Sequence, residues 1–426
     1  MASHRKQQIS VLTMNTVAFT ACFAVWVMFA IIGIPIKTQL QLNQTEFGLL
    51  VATPILTGSL LRLPLGMMTD KFGGRPVYFG LLVAIIAPLY LISYATQYWQ
   101  FLVLGLFVGA AGASFSVGIA YTARWFEKKN QGFAMGIFGA GNAGAAVTKF
   151  VAPSIVVAWG WTAVPKVYAV AMTVVAALFW MFTYSKGEHR VESHITIRDQ
   201  LRVLQDPAVW KYCQYYSVVF GGFVALSLWM TKYFMSEYGH DIKTAALLAA
   251  IFVLPSGVIR ALGGWLSDRF GAHTVTWWVM WVSLVCLFIM AYPQTDLVIK
   301  AVKGEHILMH LGVHEWVFTV LLFTVGIMWG FGKASVFKYL SDEYPDNIGV
   351  VSGIVGLAGG MGGFFLPIMF GALLDLTGVN TTAFMLLFGT TLVSLMWMQY
   401  SGERQKDRER RKQFGPDVAV TADVME

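Results

Sequence analysis

The chain has 426 residues, of which 57% are hydrophobic and only 12% are charged, and its formal net charge is +7. Soluble domains carry roughly 25% charged residues, so this composition excludes a soluble enzyme, a disordered chain and a disulfide scaffold. It leaves an integral membrane protein.

Charge-poor apolar runs of about 20 residues, the length that crosses a hydrocarbon core of ~30 Å, predict the membrane spans. In chain order they are Val11–Ile36, Phe47–Thr69, two spans between Arg75 and Arg124 separated by the turn Ala95–Tyr98, Phe133–Trp159, Ala163–Tyr184, Tyr212–Phe234, Lys243–Leu266, Val275–Tyr292, Trp316–Leu340, Gly349–Leu374 and Thr381–Tyr400. The sequence therefore predicts an all-α membrane protein with twelve transmembrane helices. We expect a six-helix bundle at residues 1–184, a cytoplasmic linker at 185–211, a second six-helix bundle at 212–402 and a cytoplasmic tail at 403–426.

The distribution of lysine and arginine predicts the orientation of the spans, because cytoplasmic loops are enriched in both. Most of the 30 Lys and Arg residues fall in loops and span ends on the side of the two termini. Those on the opposite side are Lys37, Lys166, Lys232, Lys243, Lys300 and Lys303. We therefore expect both termini on the cytoplasmic face of the cytoplasmic membrane. We attribute the net charge to this topology and expect no binding of nucleic acid.

The second group of six spans repeats the first. The run RLPLGMMTDKFG from Arg62 aligns with RALGGWLSDRFG from Arg260 at an offset of 198 residues. The run GFAMGIFG from Gly132 aligns with GVVSGIVG from Gly349 at an offset of 217 residues. Such a duplication predicts two pseudo-symmetric halves with a substrate site at mid-membrane between them.

Two kinds of repeated element have local roles. Glycines at G-x-x-x-G spacing in spans 5 and 11 allow close approach of another helix backbone. We assign helix packing, with glycine backbone near the substrate as the sharper alternative, to Gly139, Gly141, Gly144, Gly356, Gly360 and Gly363. The turns after spans 2 and 8 are predicted to be structural or gating loops, with the charged residues Asp70, Arg75 and Asp268.

The two arginines of the first repeated block lie far inside their spans. Arg62 and Arg260 each precede the aspartate at the end of the span by eight residues, which is ~12 Å at ~1.5 Å per residue. A buried arginine keeps its charge, at a cost of at least ~2.5–3.5 kcal/mol in a membrane. All 23 Asp and Glu residues lie in loops, tails or span ends. The pair therefore predicts a positive site for an anionic substrate; the alternative is that backbone carbonyls or neutral side chains satisfy each arginine.

Neutral polar and aromatic residues are available in neighbouring spans. Asn142 lies in the glycine-rich part of span 5, and Tyr216 and Phe220 share one face of span 7. Phe115 lies in span 4 and Phe29 in span 1. Planar guanidinium groups with aromatic faces suit a small flat oxyanion. Ordinary packing is the alternative for each aromatic residue.

Two lysines also fall inside predicted spans. Lys149 lies toward the outer half of span 5, where its side chain can extend to the interface. Lys333 lies deeper in span 10, and Gly112 occupies the matching position in span 4. A buried lysine, unlike an arginine, can lose its proton. We therefore expect Lys333 to take part in proton coupling, with bonding to nearby carbonyls as the alternative.

At these residues the chain resembles the major facilitator superfamily, and more narrowly its nitrate/nitrite porters. The general loop motif is present as GMMTDKFGGR from Gly66. The narrower resemblance rests on the arginine pair together with GAGNAGA from Gly139 and GLAGGMGGFFLP from Gly356. It implies alternating access to a central pocket for nitrate or nitrite.

The resemblance also implies roles for single residues. Arg62 and Arg260 would clamp the anion, and the pocket would be completed by Asn142, Tyr216, Phe220, Phe115 and Phe29. The family includes proton-coupled nitrate importers and nitrate/nitrite exchangers, and Lys333 favours symport. We expect a monomer in the lipid bilayer that needs no cofactor. Its expected partners are nitrate, nitrite and protons.

Three other functions stay open at this stage. A porter of organophosphates or carboxylates also fits paired arginines, while a membrane enzyme or a sensor would need a catalytic cluster or an output domain. His306, His310 and His314 have the i, i+4 spacing of metal ligands on a helix, but we favour a solvated loop and expect no metal. Cys22, Cys213 and Cys286 lie apart in apolar stretches and are interpreted as small hydrophobic residues. The first apolar segment lacks a cleavage site and is expected to be retained.

Overall fold

The apolar runs of the sequence form helices, which satisfy their own backbone hydrogen bonds and are therefore suited to a bilayer. The computed structural model describes residues 2–185, 205–301, 304–344 and 348–414. In these ranges, eleven helices are long and apolar enough to cross a membrane. They become twelve spans when Ile242–Val258 and Arg260–Phe270, which are bent by 48° relative to each other, count as one. The predicted twelve-span architecture in two six-helix bundles is confirmed.

The first bundle contains six spans, several of them interrupted. Span 1 is Ala2–Trp26 and Phe29–Leu40, span 2 is Gln44–Leu60 and Arg62–Phe72, span 3 is Gly74–Leu91, span 4 is Tyr98–Gly109 and Ser114–Trp125, span 5 is Lys128–Gly139 and Gly144–Trp159, and span 6 is Ala163–Phe182.

The second bundle repeats this order. Span 7 is Pro207–Tyr216 and Gly222–Tyr238, span 8 is Ile242–Val258 and Arg260–Phe270, span 9 is Ala272–Met290, span 10 is Glu315–Glu343, span 11 is Ile348–Thr377 and span 12 is Thr382–Phe414. Span 7 thus begins within the stretch assigned to the linker, whose residues 186–204 lie outside the described part. The helix of span 12 continues into the stretch assigned to the tail.

The loop between spans 9 and 10 contains the one departure from helix among the secondary-structure elements of the described ranges. Strands Thr295–Ala301 and Gly304–Leu311 pair there as an antiparallel hairpin. His310 faces Asp296 across the hairpin, with 2.5 Å between Nδ1 and Oδ1, and His314 accepts the backbone N–H of Trp316. The helical metal site considered for this loop is therefore excluded, because the backbone is extended and two of the histidines have other partners. We name the face of the molecule with this loop the hairpin side and the opposite face the linker side.

Regular helix is lost at one level in several spans. Span 2 breaks at Leu61 and span 8 at Ile259, in each case directly before the arginine. Spans 4 and 5 tighten into 3₁₀ turns at Ala110–Ala113 and Ala140–Ala143, and span 7 widens into a π turn at Ser217–Gly221. Irregular backbone inside a membrane protein occurs where it is buried or lines a cavity, and π turns are frequent at functional sites. The irregular turns therefore indicate that a functional region lies at this level of the spans.

The two halves meet along spans 2 and 11 and are joined by hydrogen bonds on the hairpin side. The carboxylate of Asp375 accepts hydrogen bonds from the backbone nitrogens of Gln44 and Thr45 at 3.0 and 2.8 Å, and from the hydroxyl of Thr45 at 2.6 Å. The rings of Phe47 and Trp229 lie 5.6 Å apart between centroids. These contacts bring span 2 against spans 7 and 11 and close this end of the interface.

Candidate functional site

Arg62 lies in the interface between the halves. Its side chain is only 6% exposed, and Nη1 donates a hydrogen bond to the backbone carbonyl of Gly356 at 3.1 Å. The Nε atom is buried without a hydrogen-bond partner among the described residues. Because Gly356 belongs to the glycine signature of span 11, Arg62 reaches across to the opposite half.

Arg260 repeats this arrangement from the other side. Its Cδ atom lies beside Gly139, which corresponds by the repeat to Gly356, and a methyl group placed on Gly139 would be 3.9 Å from it. Its Nη1 atom is buried and has no hydrogen-bond partner in the described part of the chain. Each arginine therefore lies against the glycine signature of the half to which it does not belong.

Phe115 connects the two arginines. Its ring centroid lies 5.5 Å from Cζ of Arg62 and 5.6 Å from Cζ of Arg260. The two guanidinium groups are thus no further apart than the sum of these distances. Cation–π attraction to a shared ring offsets part of the cost of holding two like charges in a buried place.

Further rings surround the pair. Phe220 lies 5.1 Å from Cζ of Arg62, and Tyr216 stacks on Phe220 with 5.2 Å between centroids. Phe337 lies 5.5 Å from Cζ of Arg260 and 5.0 Å from the ring of Tyr216. These residues of spans 7 and 10 form an aromatic wall beside the charges.

Asn142 supplies neutral hydrogen-bonding groups at the same level. It is 1% exposed, and both its Nδ2 and its Oδ1 lack a partner among the described residues. Its backbone packs against Gly257, three residues before Arg260. A buried amide without partners is costly, so this side chain is poised to bind something that enters the interface.

Carboxylates take no part in this arrangement. Within the described ranges, no Asp or Glu forms a salt bridge with Arg62 or Arg260. The free Nε of Arg62, the free Nη1 of Arg260 and the amide of Asn142 leave donors from both halves available. Two charges, unused donors and aromatic walls together suit a small anion.

The aromatic residue of span 1 differs from the one chosen from the sequence. Phe29 is fully buried near Gly105 of span 4, whereas Trp26 lies 5.7 Å from Cζ of Arg62. The indole nitrogen of Trp26 donates to the carbonyl of Pro54 at 2.8 Å, which fixes the ring beside span 2. Sequence reasoning missed Trp26 and Phe337. For Phe337 a signal existed, since it follows Lys333 by one helical turn.

Lys333 is completely buried beside span 8. Its Nζ donates to the hydroxyl of Ser256 at 3.0 Å and lies 3.6 Å from the ring centroid of Phe223. Ser256 precedes Arg260 by four residues, which is one turn of the chain. No carboxylate pairs with Lys333 in the described part of the protein.

The charged residues of the turns pair within each half. Arg124 of span 4 binds Asp70 at 2.7 Å, and Lys338 of span 10 lies 3.6 Å from Asp268. The two aspartates are related by the repeat, but their partners are not, since the repeat places Val117 and not Arg124 opposite Lys338. Arg75 donates to the carbonyl of Trp180 at 2.6 Å and covers its ring at 4.1 Å. A structural role fits these contacts, and gating stays a prediction.

Four of the six predicted packing glycines lie at close helix crossings, whereas Gly139 and Gly356 adjoin only the side chains of Arg260 and Arg62. A methyl group on Gly144 would meet the backbone oxygen of Thr20, and one on Gly141 would meet the ring of Phe19, both in span 1. In span 11, Gly360 lies against Ser59 and Gly363 against Ile55 and Val224. Two of these glycines therefore hold span 5 on span 1, and the other two hold span 11 on spans 2 and 7.

Comparisons with known proteins consistently assign the chain to one family. The sequence model of the Major Facilitator Superfamily matches residues 14–367. A probable nitrate/nitrite antiporter of Thermus thermophilus is 37% identical over 410 residues, covering 93% of this chain and 92% of that protein. A nitrite extrusion protein of Bacillus subtilis is 29% identical, covering 94% and 97%, and a probable nitrate transporter of Staphylococcus carnosus is 30% identical, covering 91% and 95%.

A solved structure supports the fold. A bacterial homolog of the human lysosomal transporter Spinster, crystallised in an inward-facing and occupied conformation, matches with a TM-score of 0.70 at 14% identity. The match covers 93% of this chain and 97% of that protein. At this identity the likeness concerns the fold alone.

Proposed function

Because the chain belongs to the nitrate/nitrite porters of the major facilitator superfamily, and is therefore a transporter and not an enzyme, we propose that it carries nitrate or nitrite by alternating access with the anion clamped between Arg62 and Arg260. The observation that carries this proposal is the pair of guanidinium groups on the ring of Phe115. They come from opposite halves and have no carboxylate partner in the described ranges.

The clamp works through charge and shape. The unused Nε of Arg62 and Nη1 of Arg260 donate to oxygens of one anion, and Nδ2 of Asn142 donates to a third oxygen. Hydrogen bonds between charged groups are the strong ones. The anion neutralises part of the mutual repulsion of the arginines, so the halves close around it. Without it, the repulsion favours separation of the halves, and the empty carrier reopens.

The orientation proposed for the protein follows the lysines and arginines. Excess positive charge marks the cytoplasmic side of a membrane protein. The linker side, which carries Lys71, Arg75, Arg124 and Arg269, is therefore the cytoplasmic side of the cytoplasmic membrane, and the hairpin side is the outer side. On this orientation the contacts of Asp375 with Gln44 and Thr45 close the outer end.

Lys333 supports coupling to protons. It is a fully buried cation whose hydrogen-bond partner, Ser256, is neutral and lies one turn from Arg260. When it loses its proton, positive charge beside Arg260 falls and the anion is held less tightly. Uptake of a proton with the anion then restores binding, which is nitrate/proton symport.

Exchange of nitrate for nitrite is the second candidate. The names of two relatives, a probable nitrate/nitrite antiporter and a nitrite extrusion protein, favour it. In an exchanger the arginine pair would keep both charges throughout, and Lys333 would have only a structural role. Proteoliposomes separate the two candidates, since symport needs only a pH gradient whereas exchange needs nitrite inside.

Replacing Lys333 by methionine tests the coupling. We expect nitrate uptake driven by a pH gradient to fall to the rate without a gradient, because the proton-carrying group is gone, while exchange against internal nitrite continues. The measurement is nitrate uptake into proteoliposomes with an acidic exterior. Lys166→Met, at a lysine beside Tyr94 on the hairpin side, is the matched control. Uptake by Lys333→Met that stays fully driven by the gradient contradicts the symport proposal.

The substrate class is tested by competition in the same vesicles. Nitrite is expected to compete with nitrate, because both are small planar oxyanions that fit between two guanidinium groups and aromatic rings. Phosphate esters are expected to compete poorly, since they are larger, tetrahedral anions that do not match a flat site between rings. Strong inhibition by a phosphate ester without inhibition by nitrite would support an organophosphate porter instead.

A further inference from the structure

A further buried cation lies between the halves, on the hairpin side of the arginines. Lys149 of span 5 is 2% exposed, and its Nζ donates to the hydroxyl of Thr231 in span 7 at 3.1 Å. The bond joins the two halves. In the described ranges no carboxylate forms a salt bridge with Lys149, so its charge is met only by a neutral hydroxyl.

Lys149 stands in line with the proposed anion site. It follows Asn142 by seven residues, which places both side chains on one helix face ~10 Å apart along the axis. Thr231 follows Phe220 by eleven residues, about three helical turns, and so continues the face of Phe220. The face of span 5 that carries Asn142 thus also carries Lys149, and the face of span 7 that carries Phe220 also carries Thr231. The two faces are in contact at Lys149 and Thr231. Lys149 and Thr231 thus connect the two halves on the hairpin side of the arginines.

The fold itself does not require a lysine there. The internal repeat pairs Lys149 with Leu366 of span 11, an apolar residue buried at the corresponding place. A charge inside a membrane protein is costly and marks function when it faces a pathway. The free-energy cost of burying Lys149 therefore indicates that this residue interacts with a charged solute.

The neighbouring charges add to the positive character of this level. Lys232 follows Thr231, is largely buried, and lies 4.7 Å from the ring centroid of Trp229. The charges that act on Lys232 are Lys37, another cation, and Asp375. The carboxylate of Asp375 already accepts three hydrogen bonds from Gln44 and Thr45. Both carboxylate oxygens of Asp375 are thus already held by groups of span 2.

We propose that Lys149 forms a second anion-binding position, on the hairpin side of the arginine pair, for nitrate or nitrite on its way to or from the central site. While this end is closed, the hydroxyl of Thr231 accepts a hydrogen bond from the ammonium group of Lys149. When the halves part, the bond breaks, and the anion takes the place of the hydroxyl. The inference rests on the proposed function, because it assumes an anion that moves between the halves.

The test is nitrate/nitrite exchange measured separately from each side, in right-side-out and inverted membrane vesicles. We expect Lys149→Met to raise the KM for nitrate about tenfold at the hairpin side, the effect of losing one hydrogen bond from a charged donor. The KM at the linker side is expected to stay unchanged, which also shows that the variant is folded. Lys243→Met, at an exposed lysine of the hairpin side, controls for general surface charge. Lys149→Gln serves as a second variant without the charge.

A simple latch between the halves predicts a different pattern. Thr231→Val breaks the same hydrogen bond but keeps the lysine. If the bond is only a latch, Thr231→Val and Lys149→Met should change the KM for nitrate equally. Our proposal predicts a lower KM at the hairpin side for Thr231→Val, because the ammonium is freed for the anion. Equal effects of the two variants, or an unchanged hairpin-side KM in both Lys149→Met and Lys149→Gln, would overturn the proposal. Absence of any nitrate exchange by the unchanged protein would reject the proposed function itself.

Discussion

Replacing either Arg62 or Arg260 by lysine is expected to lower nitrate uptake at least tenfold. The charge is kept, but an ammonium lacks the planar guanidinium, whose separate nitrogens allow Arg62 to bond Gly356 and still donate to the anion. A hydrogen bond to a charged group contributes about 1.5–3 kcal/mol, which corresponds to roughly 10- to 100-fold in affinity. The loss is expected at both positions, because the two residues are equivalent by the repeat and contact the same ring of Phe115.

The measurement is the initial rate of nitrate uptake into proteoliposomes over a range of nitrate concentrations. Arg269→Lys is the matched control, since Arg269 lies on the same helix as Arg260 but is exposed at the linker side, against Trp265 and Phe270. We expect its uptake to equal that of the unchanged protein. Nitrate affinity retained by Arg62→Lys or Arg260→Lys would show that the guanidinium groups are not what holds the substrate.

Replacing Gly144 by alanine is expected to destabilise the protein. A methyl group there would overlap the backbone oxygen of Thr20 and lie 2.9 Å from the backbone nitrogen of Ala24. Backbone atoms cannot rotate away as a side chain can, so spans 1 and 5 must separate. Overpacking of this kind costs about 1–3 kcal/mol.

Thermal unfolding followed by tryptophan fluorescence measures this effect. Gly80→Ala is the control, because a methyl group on Gly80 meets no atom within 4 Å. The control is expected to melt no lower than the unchanged protein, since alanine favours helix over glycine by up to ~1 kcal/mol. Equal melting temperatures for Gly144→Ala and Gly80→Ala would contradict a close-packing role for Gly144.

The sequence predicted the elements of the site whose chemistry is unusual for a membrane. A charged residue deep in an apolar run stands out, so Arg62 and Arg260 were found, and the repeat placed them opposite each other. Aromatic residues are common in every span, and their contacts depend on how the helices are rotated. Trp26 and Phe337 were therefore missed, and Phe29 was chosen where the structure brings Trp26 to Arg62.

Other features depend on contacts between distant parts of the chain. The break at Leu61 has a local cause, because Pro64 cannot donate a backbone hydrogen bond to the carbonyl of Leu60, whereas no proline follows Ile259 within its helix. The hairpin after span 9 lies in a polar loop for which only the spacing of the histidines was considered. The contact of Lys149 with Thr231 joins the two halves, and their relative placement is not contained in any local pattern.

The most direct test of the paired-arginine site is equilibrium binding of nitrate to the purified protein and to the double variant Arg62→Gln, Arg260→Gln. Glutamine keeps a polar side chain but removes both charges. The proposal predicts one saturable nitrate site in the unchanged protein and no detectable binding in the double variant at the same concentrations. Saturable binding of undiminished affinity in the double variant would contradict it.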